Sequence, residues 1–505
     1  MVTMDARAIS ATVDVGAGMR EILDRQRAAF LAEGPPPVAV RRDRIDRLSA
    51  LVLDNAGAIV DAVAADFGTR PRTATLFTEI LGMISVIEHT RSHVRQWMRT
   101  TPLLRAARLV GFRAEVEPTP LGVVGIIGPW NFPVNLVVLP ATAAFAAGNR
   151  VMIKMSEITA HTAELMASLA SRYFDDTELA VVTGGVDVGA AFASLPFDHL
   201  FFTGSPEVGA RVAQAAAANL VPVTLELGGK NPVVVSRDAD LTRSATRIAQ
   251  GRMINGGQVC VCPDYVLVTE ERQDEFVGIV RATWRTMFPT IVTNDDYCSS
   301  VNRANFERVV GLIEDARAAG ATVESVAPPG ESLPDPVSRK IAPTIVRDVD
   351  DAMRIANEEI FGPVLVVRPY RTLREAIARI NDRPAPLVAY WFGPDNDEFR
   401  EFVRSTRSGG VARNDFAAQM IPSAAPFGGV GRSGMGAYHG KAGFDAFSHY
   451  RSVVGTDLPF TITGRAAPPF TAPIKATTAL GLRMAHRRTR RRLRRSRRRP
   501  PSATE

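Results

Sequence analysis

Residues 198–220, DHLFFTGSPEVGARVAQAAAANL, decide the fold. The pattern predicts a buried β-strand, a tight turn at Thr203-Gly204 and then an alanine-rich helix. Ser205 suits the N-cap of that helix and Pro206 its first position. At the end of a parallel strand, the free N–H groups and the positive dipole of such a helix face outward, where anions bind. The stretch therefore predicts an anion site suited to pyrophosphate, although many such turns bind nothing.

Short apolar runs of the same kind recur on both sides of this stretch. Alanine-rich helical segments such as NLVVLPATAAFAAG (135–148) separate most of them. This alternation, with both faces of the strands apolar, is typical of a parallel sheet that helices cover on both sides. The predicted strands are 121–128, 150–154, 179–183, 198–204, 221–227 and 232–236.

The flanking regions extend this plan. Residues 18–110 have the spaced apolar positions of helices, with Gly68 where one helix would stop. Residues 229–410 alternate strand and helix again, which predicts a second α/β domain, and 325–339 is predicted to be an exposed loop. The predicted helices of this second region are 271–286, 301–319 and 373–381.

Length and composition exclude several classes of protein. A chain of 505 residues is too long for one ordinary core, and 46% apolar with 22% charged residues is typical of globular proteins. No stretch reaches the roughly 18 uncharged apolar residues of a membrane helix, and the N-terminus lacks the pattern of a secretory signal. Cys260, Cys262 and Cys298 are too few and too clustered for a disulfide framework, which favours a cytoplasmic location.

The net charge of +7 comes from one end of the chain. Residues 483–505 contain eleven arginines and one glutamate, so residues 1–482 carry a net charge of −3. Three interpretations of this tail stay open. It adsorbs to anionic lipid, it binds nucleic acid, or it is a disordered, solvated extension with no partner.

Two polar residues follow the predicted strand 150–154. A carboxylate at Glu157, beside Lys154, could accept both ribose hydroxyls of NAD and would repel a 2′-phosphate. The alternative is that Ser156 caps a helix and Glu157 merely lies in its first turn. The one literal G-x-G-x-x-G, at 429–434, lacks a strand before it and a clear helix after it, so a structural loop is the better interpretation there.

Three further residues suit covalent chemistry. Cys260 follows Gly256 and Gly257, which allow the close backbone approach that a reactive thiol needs, although a lone cysteine is usually an inert small apolar residue. Glu226 ends an apolar strand, where partial burial would raise its pKa and suit a general base; a plain surface residue is the alternative. Asn131, in the proline-flanked GPWNFP, has an amide that could donate to a developing oxyanion.

Together these segments resemble the aldehyde dehydrogenase superfamily, in order and in spacing, over nearly all of residues 18–455. The chain looks most like class 3 and coniferyl-aldehyde-dehydrogenase-like members, in stretches such as FDHLFFTGS and GMGAYHGKAGFDAFSHY. The matching motifs are GPWNFP (128–133), IKMSE (153–157), FFTGSPEVG (201–209), LELGGKNP (225–232), GGQVC (256–260), EEIFGPV (358–364) and PFGGVGRSGMG (426–436).

The resemblance implies a chemistry for the three candidate catalytic residues. Cys260 would be the nucleophile, Glu226 the general base, and Asn131 with the Cys260 amide the oxyanion hole. The implied reaction is the oxidation of an aldehyde to its acid through a thiohemiacetal and a thioester on Cys260. Aromatic aldehydes, cinnamyl-type ones included, and medium-chain aliphatic aldehydes both stay open as substrates.

The resemblance also implies a cofactor, NAD with NADP possible, and no metal. Lys154 and Glu157 would hold the adenosine ribose, while Glu359 and Phe361 would position the nicotinamide ribose and ring. Gly204, Ser205 and Gly209 would lie at the pyrophosphate end. The full set of implied cofactor-binding residues is Trp130, Lys154, Glu157, Thr203, Gly204, Ser205, Gly209, Glu359 and Phe361.

The implied fold is the aldehyde dehydrogenase fold, with two Rossmann-like α/β domains, for cofactor and catalysis, and a β-hairpin arm that pairs subunits into a homodimer. The implied boundaries are 18–110 and 121–227 for the cofactor-binding domain, with 411–444 packing back on it, 228–410 for the catalytic domain, 111–120 and 445–455 for the arm, and 456–505 for a C-terminal extension with the Arg-rich tail 483–499.

Two residues near the matching motifs carry expectations of their own. Met155 stands where the family usually has proline, which predicts a less fixed turn. Cys262, two residues after Cys260, is either an oxidative trap for Cys260 or a buried spectator. An alternative function is a tail-mediated binder of anionic membrane or nucleic acid with a vestigial dehydrogenase body. A cysteine hydrolase without nicotinamide is disfavoured because the seven histidines match no such pattern.

Overall fold

The computed structural model describes residues 6–458 and 462–496, so residues 497–499 of the predicted Arg-rich tail lie outside the described residues. Within the described part the α-helices are α1 (Ala6–Glu33), α2 (Val38–Asp54), α3 (Ala56–Phe67), α4 (Arg72–Thr75), α5 (Gly82–Trp97), α6 (Asn135–Ala147), α7 (Ala160–Tyr173), α8 (Val186–Ala193), α9 (Pro206–Ala217), α10 (Leu241–Met253), α11 (Gln273–Met287), α12 (Arg303–Ala318), α13 (Arg354–Asn357), α14 (Leu373–Asn381), α15 (Asp397–Ser405), α16 (Gly440–Ala446), α17 (Ile462–Ala466) and α18 (Ala472–Ser496). A π-helical segment, Leu76–Leu81, joins α4 to α5.

The strands of the same described part form three sheets. They are β1 (Thr101–Pro102), β2 (Phe112–Pro120), β3 (Val123–Ile127), β4 (Arg150–Lys154), β5 (Leu179–Val182), β6 (His199–Thr203), β7 (Val223–Glu226), β8 (Pro232–Val235), β9 (Tyr265–Thr269), β10 (Thr322–Ser325), β11 (Thr344–Arg347), β12 (Val364–Tyr370), β13 (Val388–Phe392), β14 (Gly410–Arg413), β15 (Gly434–Met435) and β16 (Ser448–Thr456).

The first large sheet has the strand order β15-β7-β6-β3-β4-β5. Its strands are parallel except for β15, which runs antiparallel to β7. The apolar runs predicted at 150–154 and 198–204 coincide with β4 and β6. The prediction of a parallel sheet is wrong at the edge formed by β15. There the glycine-rich loop at 429–434 leads directly into a short strand that runs antiparallel to β7.

Both faces of this sheet are buried. Alternate residues of a strand point to opposite faces, and Val124 and Ile126 of β3 belong to one apolar cluster while Val123 belongs to another. Helix α6 packs against β3 and β4 on one side, and α1 and α8 contribute to the cluster on the other. The prediction of a sheet covered on both sides is therefore confirmed.

The second large sheet has the strand order β10-β11-β12-β9-β8-β13-β14. It is parallel except that β10 is antiparallel to β11. The apolar run at 232–236, which the sequence grouped with the first set of strands, forms β8 of this second sheet. The predicted helix 373–381 coincides with α14. The α/β fold class is confirmed.

The remaining strands form a small sheet of order β1-β2-β16. The described chain divides into two compact units, one comprising residues up to Arg99 together with Pro118–Tyr450 and the other Thr100–Glu117 with the residues from Arg451 onward. The sequence boundaries for the cofactor-binding domain (18–110 and 121–227), the catalytic domain (228–410), the arm (111–120 and 445–455) and the extension stay predictions.

The Arg-rich region is helical as far as the structure describes it. Helix α18 includes residues 483–496 of the tail, which contradicts the interpretation of a disordered extension for this part. Long-chain residues such as Arg and Leu favour helix, which supplies the physical reason. Among the described residues, no single helix has the length and apolarity to cross a membrane; one pair bent by 65°, α2 with α3, meets those criteria jointly.

Candidate active site

A cavity of about 1440 Å³ lies at the carboxyl ends of β3, β4, β6 and β7. Parallel strands bring these ends to the same edge of a sheet, so residues far apart in sequence meet there. Eleven of the twelve predicted site residues line the cavity: Trp130, Asn131, Lys154, Glu157, Thr203, Gly204, Ser205, Glu226, Cys260, Glu359 and Phe361.

Lys154 and Glu157 face the cavity from the end of β4. The buried Nζ of Lys154 donates to the backbone oxygen of Met155 at 2.6 Å and lies 3.4 Å from Oε2 of Glu157. Burial lowers the pKa of Lys154 and Glu157 opposes that effect. Ser156 also caps the following turn, accepting from the N–H of Ile158, so the capping interpretation and the cavity position hold together.

The turn after Lys154 is held by a bond that proline could not make. The N–H of Met155 donates to the backbone oxygen of Val182 at 3.1 Å, and its side chain is buried. Proline has no N–H and could not make this hydrogen bond, so the bond offsets part of the rigidity that the proline ring would supply; the expectation of a less fixed turn at Met155 stays a prediction.

The turn between β6 and α9 has the predicted form. The side chain of Ser205 accepts from the N–H of Val208 at 3.3 Å, and Pro206 occupies the first turn of the helix. A Cβ at Gly204 would overlap the ring of Phe202, so only glycine fits there. The first turn of α9 consequently opens its remaining N–H groups toward the cavity.

Gly209 is the one predicted site residue that does not line the cavity. It lies one turn inside α9, where an added Cβ would be 2.6 Å from Cδ2 of Leu227. The structure thus gives Gly209 a packing position that lets α9 lie close to the end of β7, and its place at the pyrophosphate end stays a prediction.

The loop before Cys260 is held in an unusual backbone conformation. Asn255, Gly256 and Gly257 have consecutive positive φ angles of 50°, 62° and 77°. A Cβ at Gly257 would overlap the backbone oxygen of Gly362, so a second glycine is required by close approach as well as by φ. This sharp bend aims Cys260 into the cavity.

Side-chain amides fix this loop from both sides. Nδ2 of Asn231 donates to the backbone oxygens of Cys260 at 2.7 Å and Cys262 at 3.0 Å. Nε2 of Gln258 donates to the oxygens of Asn255 at 2.9 Å and Ser299 at 3.1 Å. No role is predicted for Asn231 and Gln258 from the sequence, although both stand inside the matching motifs, which is the signal that could have found them.

Asn131 is joined directly to the same loop. Its Nδ2 donates to the backbone oxygen of Gln258 at 3.2 Å, and Nδ2 of Asn255 donates back to the oxygen of Asn131 at 3.2 Å. The Asn131 side chain is buried yet reaches the cavity. Asn131 and Cys260 are therefore held by one network.

Three acidic groups share this end of the cavity. Both carboxylate oxygens of Glu226 are buried without a hydrogen-bond partner, and burial raises its pKa well above the ordinary value. Burial, reinforced by the charges of Glu359 and Glu226, raises the pKa of the Cys260 thiol to about 12. Burial, with Asp264, raises the pKa of Glu359 to about 8. In the chain alone Cys260 and Glu359 therefore favour their protonated forms at neutral pH, and burial shifts Glu226 in the same direction.

Glu359 and Phe361 reach the cavity beside Gly228. A Cβ at Gly228 would overlap the Glu359 carboxylate, so the glycine makes room for it. The ring of Phe361, whose φ is 51°, lies edge-on to Trp130 with centroids 5.3 Å apart. Two aromatic faces and a carboxyl group thus border the cavity near Cys260.

Two other residues near Cys260 differ in position. Cys262 is buried, and its Sγ points away from the cavity to the oxygens of Gly251 and Arg252 at 3.6 Å, which favours the spectator interpretation. Tyr438, which the sequence analysis missed, is buried, and its pKa is raised well above the ordinary value by burial and then by Glu226 and Cys260. Within the described ranges, no group of three or more His, Cys, Asp or Glu could hold a metal ion.

Comparisons with known proteins agree on one family. The model of the aldehyde dehydrogenase family matches residues 16–453. Coniferyl aldehyde dehydrogenase of a Pseudomonas species is 47% identical over 432 residues, covering 86% of this chain and 89% of the relative. The rat protein named aldehyde dehydrogenase, dimeric NADP-preferring, is 37% identical over 440 residues, covering 87% of this chain and 94% of the relative.

Solved structures lead to the same result. The substrate-bound structure of AldH from Staphylococcus aureus is similar to this chain with a TM-score of 0.84 and 34% identity, over 92% of this chain and 99% of that one. The chain therefore belongs to the aldehyde dehydrogenase family, whose members are oxidoreductases that use NAD or NADP.

Proposed function

We propose that this chain oxidises an aldehyde to its carboxylic acid through a covalent thioester on Cys260. The observation that carries the proposal is the meeting, in one cavity, of the Cys260 thiol, the Glu226 carboxyl group and the Asn131 amide. A nucleophile, a base and an oxyanion donor are the groups that acyl transfer requires. The intact set also argues against a vestigial body that serves only to carry the tail.

The first half of the reaction is the attack of Cys260 on the aldehyde carbon. The carbonyl oxygen becomes an alkoxide, which accepts hydrogen bonds from the N–H of Cys260 and from Asn131. Nδ2 of Asn131 has two N–H groups and uses only one for Gln258, so the second is available. Because the thiol pKa is about 12 in the chain alone, attack needs a positive charge nearby to favour the thiolate.

The residues of the cavity fit a nicotinamide dinucleotide. Oγ1 of Thr203 is buried with no hydrogen-bond partner, and the first turn of α9 opens beside it. Glu157 lies at the mouth with its side chain 40% exposed, within reach of ribose hydroxyls. Glu359, Phe361 and Trp130 would hold the other end. When bound, the cofactor would supply a cationic ring next to the thiol and an acceptor for the hydride whose loss from the former aldehyde carbon converts the thiohemiacetal on Cys260 into the thioester.

Glu226 completes the second half of the reaction. Its raised pKa makes it a stronger base than an ordinary glutamate once it is deprotonated, so it can take a proton from a water molecule. The hydroxide attacks the thioester carbon, the carbon–sulfur bond breaks, and the acid leaves. Asn131 serves the oxyanion of this step as well.

We infer that the substrate is a cinnamyl-type aromatic aldehyde and that NAD is preferred over NADP. The name of the Pseudomonas relative, coniferyl aldehyde dehydrogenase, supports the first point. The carboxylate of Glu157, which would repel a 2′-phosphate, supports the second. A medium-chain aliphatic aldehyde and acceptance of NADP, as the rat relative's name states for that protein, are the competing outcomes.

The test follows the absorbance of the reduced nicotinamide with NAD or NADP against coniferyl aldehyde, benzaldehyde and hexanal. We expect turnover with the wild-type chain and none with Cys260→Ala. Cys262→Ala is the matched control, because that neighbouring thiol points away from the cavity, and it should keep most of the activity. Folded wild-type protein with no turnover for any pair would refute the general reaction, and the ranking of the aldehydes decides the substrate class.

We also propose that the chain forms a homodimer through its small sheet. Strand β16 is at the edge of that sheet and is largely exposed, with Val454 60% exposed. A long exposed edge strand is a template for pairing with another chain. Light scattering should give twice the chain mass of 54.6 kDa, and a monomer mass would contradict the proposal.

We propose that the enzyme is cytoplasmic and that its C-terminal tail holds it peripherally at an anionic membrane surface. Helix α18 carries its exposed arginines around most of its circumference. At 100° per residue, an arginine-free stripe runs through Thr478, Leu482, Ala485, Thr489 and Leu493. Leu482 is 73% exposed and Leu493 57%. A basic helix with exposed leucines suits lipid headgroups better than a nucleic acid groove.

A further inference from the structure

A buried ion pair lies outside the cavity, behind the segment that carries Asn131. Nη2 of Arg70 donates to Oε1 of Glu79 at 3.3 Å, and the two side chains are 2% and 0% exposed. Arg70 lies in the turn between α3 and α4, and Glu79 lies in the π-helical segment Leu76–Leu81. Neither side chain lines the cavity. Removing two charges from water is costly unless further hydrogen bonds satisfy them, so the partners of the pair matter.

Both members of the pair bond to the segment 131–135. Nη1 of Arg70 donates to the backbone oxygen of Asn131 at 2.8 Å. Oε2 of Glu79 accepts from the N–H of Asn135 at 2.8 Å, a group at the start of α6 that has no partner within the helix. One ion pair therefore holds the carbonyl at one end of the turn and the amide at the other.

The surroundings fix the guanidinium in a single orientation. It lies over the ring of Phe67 at 4.8 Å and over the ring of Phe132 at 5.1 Å. The planar fork of arginine can direct one N–H to a carboxylate and another to a carbonyl at once, which the single ammonium of lysine does less well. Nδ2 of Asn135 adds a bond to the oxygen of Thr78 at 3.0 Å.

We propose that Arg70 and Glu79 are positioning residues that hold Asn131 ready to donate to the oxyanion. The inference rests on the proposed function, because it requires Asn131 to be the oxyanion donor. A donor contributes most when it is already aimed at the developing charge and need not reorganise during the reaction. A charge-assisted hydrogen bond to the carbonyl of Asn131 fixes the adjoining peptide plane, and with it the direction of the side chain.

The first variant is Arg70→Lys. It keeps a positive charge beside Glu79 but removes the planar guanidinium that donates to Glu79 and to the backbone oxygen of Asn131 at once. We expect kcat to fall about tenfold or more, because a displacement of about 1 Å at a reacting group has effects of that size or larger. The affinity for NAD, measured directly by fluorescence titration, should change less than about twofold, since Arg70 is outside the cavity.

A double-mutant cycle with Asn131→Ala separates positioning from general structural damage. If Arg70 acts through Asn131, Arg70→Lys should lower kcat in the wild-type background and have almost no further effect once Asn131 is alanine. An equal fold-loss in both backgrounds would overturn the proposal, as would unchanged kcat in the single variant.

A second variant covers the case in which Arg70→Lys fails to fold. The pair Arg70→Met with Glu79→Gln leaves no unpaired charge, so the core can stay intact. The same cycle with Asn131→Ala then applies, with the same two outcomes. If the folded wild-type chain shows no turnover, the proposed function itself is refuted. If the wild-type chain turns over and the cycle shows no coupling to Asn131, only the positioning role is refuted.

Discussion

Glu226 lies at the end of a buried strand with no hydrogen-bond partner for either carboxylate oxygen. The thiol of Cys260 and the carboxyl group of Glu359 are close enough that their charges influence each other. Three groups that can each carry a negative charge thus share one end of the cavity. Burial favours the neutral form of all three, so the chemistry at neutral pH depends on which of them gives up its proton.

The first prediction concerns the pH dependence of thioester hydrolysis. Because the pKa of Glu226 is raised, its deprotonated fraction, and hence the hydrolysis rate, should increase with pH through the neutral range. An ordinary glutamate with a pKa of about 4.3 would give a flat rate above about pH 6. Burst kinetics with an activated ester isolate this step from cofactor reduction.

Glu226→Gln is the control for that profile. It should slow the hydrolysis step by about 10²-fold or more and remove its rise with pH, while the initial burst from Cys260 persists. A wild-type rate that is independent of pH across the neutral range would show that Glu226 is not the group that titrates.

At the residue scale, motifs let the sequence predict that Cys260, Glu226 and Asn131 share a site, since each stands in a short, distinctive segment, and the structure places all three on one cavity. The contacts that hold them were not predictable. Arg70 and Asn131 are separated by 61 positions and meet only because a helical region packs behind the sheet. Asn231 reaches the Cys260 loop through the strand order of the second sheet, which no local pattern encodes.

At the scale of elements, the approach of α9 to the end of β7 shapes the cavity. The helix can lie this close because Gly209 presents no side chain to Leu227, which is buried. The position of the first turn of α9, and of its N-cap Ser205, follows from that contact. We therefore expect the packing at Gly209 to influence where the predicted anion site lies.

The second prediction tests that contact with Gly209→Ala. The added methyl should overpack the interface, lowering the free energy of unfolding by about 1–3 kcal/mol and weakening NAD binding because the first turn moves. Gly311→Ala, in the interior of α12 with open space around it, is the matched control and should raise stability by about 0.5–1 kcal/mol. Chemical denaturation and NAD titration measure both; unchanged NAD affinity in Gly209→Ala would contradict the argument.

Elements with a strong local pattern were predictable from the sequence, and those that depend on distant partners were not. The strand at 150–154 is a continuous apolar run, and the helix at 373–381 has clear periodicity. The two-residue strand β15 exists only because β7 offers an edge. The π-helical turn at Leu76–Leu81 places Glu79 in the core, where it contacts Arg70 and Asn135. These partners are distant in sequence or come from another element, so no local pattern predicts the turn.

At the scale of the whole molecule, charge is divided unevenly along the chain. Residues 1–482 carry a net charge of −3, whereas residues 483–505, with eleven arginines and one glutamate, carry +10. A mildly acidic body has no electrostatic reason to approach an anionic surface, so any such attraction must come from the tail. Composition alone revealed this division, but not that residues 472–496 are helical.

The third prediction is that the tail binds anionic vesicles. The full chain should co-sediment with vesicles of phosphatidylglycerol and phosphatidylcholine at low salt and much less with phosphatidylcholine alone, because each arginine near the surface contributes about 1 kcal/mol. A chain ending at residue 471 should lose the binding and keep its aldehyde turnover.

The variant Leu482→Asp with Leu493→Asp keeps every arginine and distinguishes lipid from nucleic acid. Vesicle binding should weaken strongly, since the apolar contacts are lost. Binding that survives this change, together with a salt-sensitive shift of duplex DNA in an electrophoretic assay, would favour the nucleic acid alternative. No binding to either surface by the full chain would refute a role for the tail at both.

Helix α6 is buried at every one of its thirteen positions, Asn135 to Ala147. Elements with so many buried contacts open only in the rarest fluctuations of a protein, whereas exposed loops fluctuate freely. Asn131 lies four residues before this helix, so the proposed oxyanion donor is anchored beside one of the most deeply buried elements of the described chain. If Asn131 has that role, its ordering is completed when the chain folds and need not be repeated in each catalytic cycle.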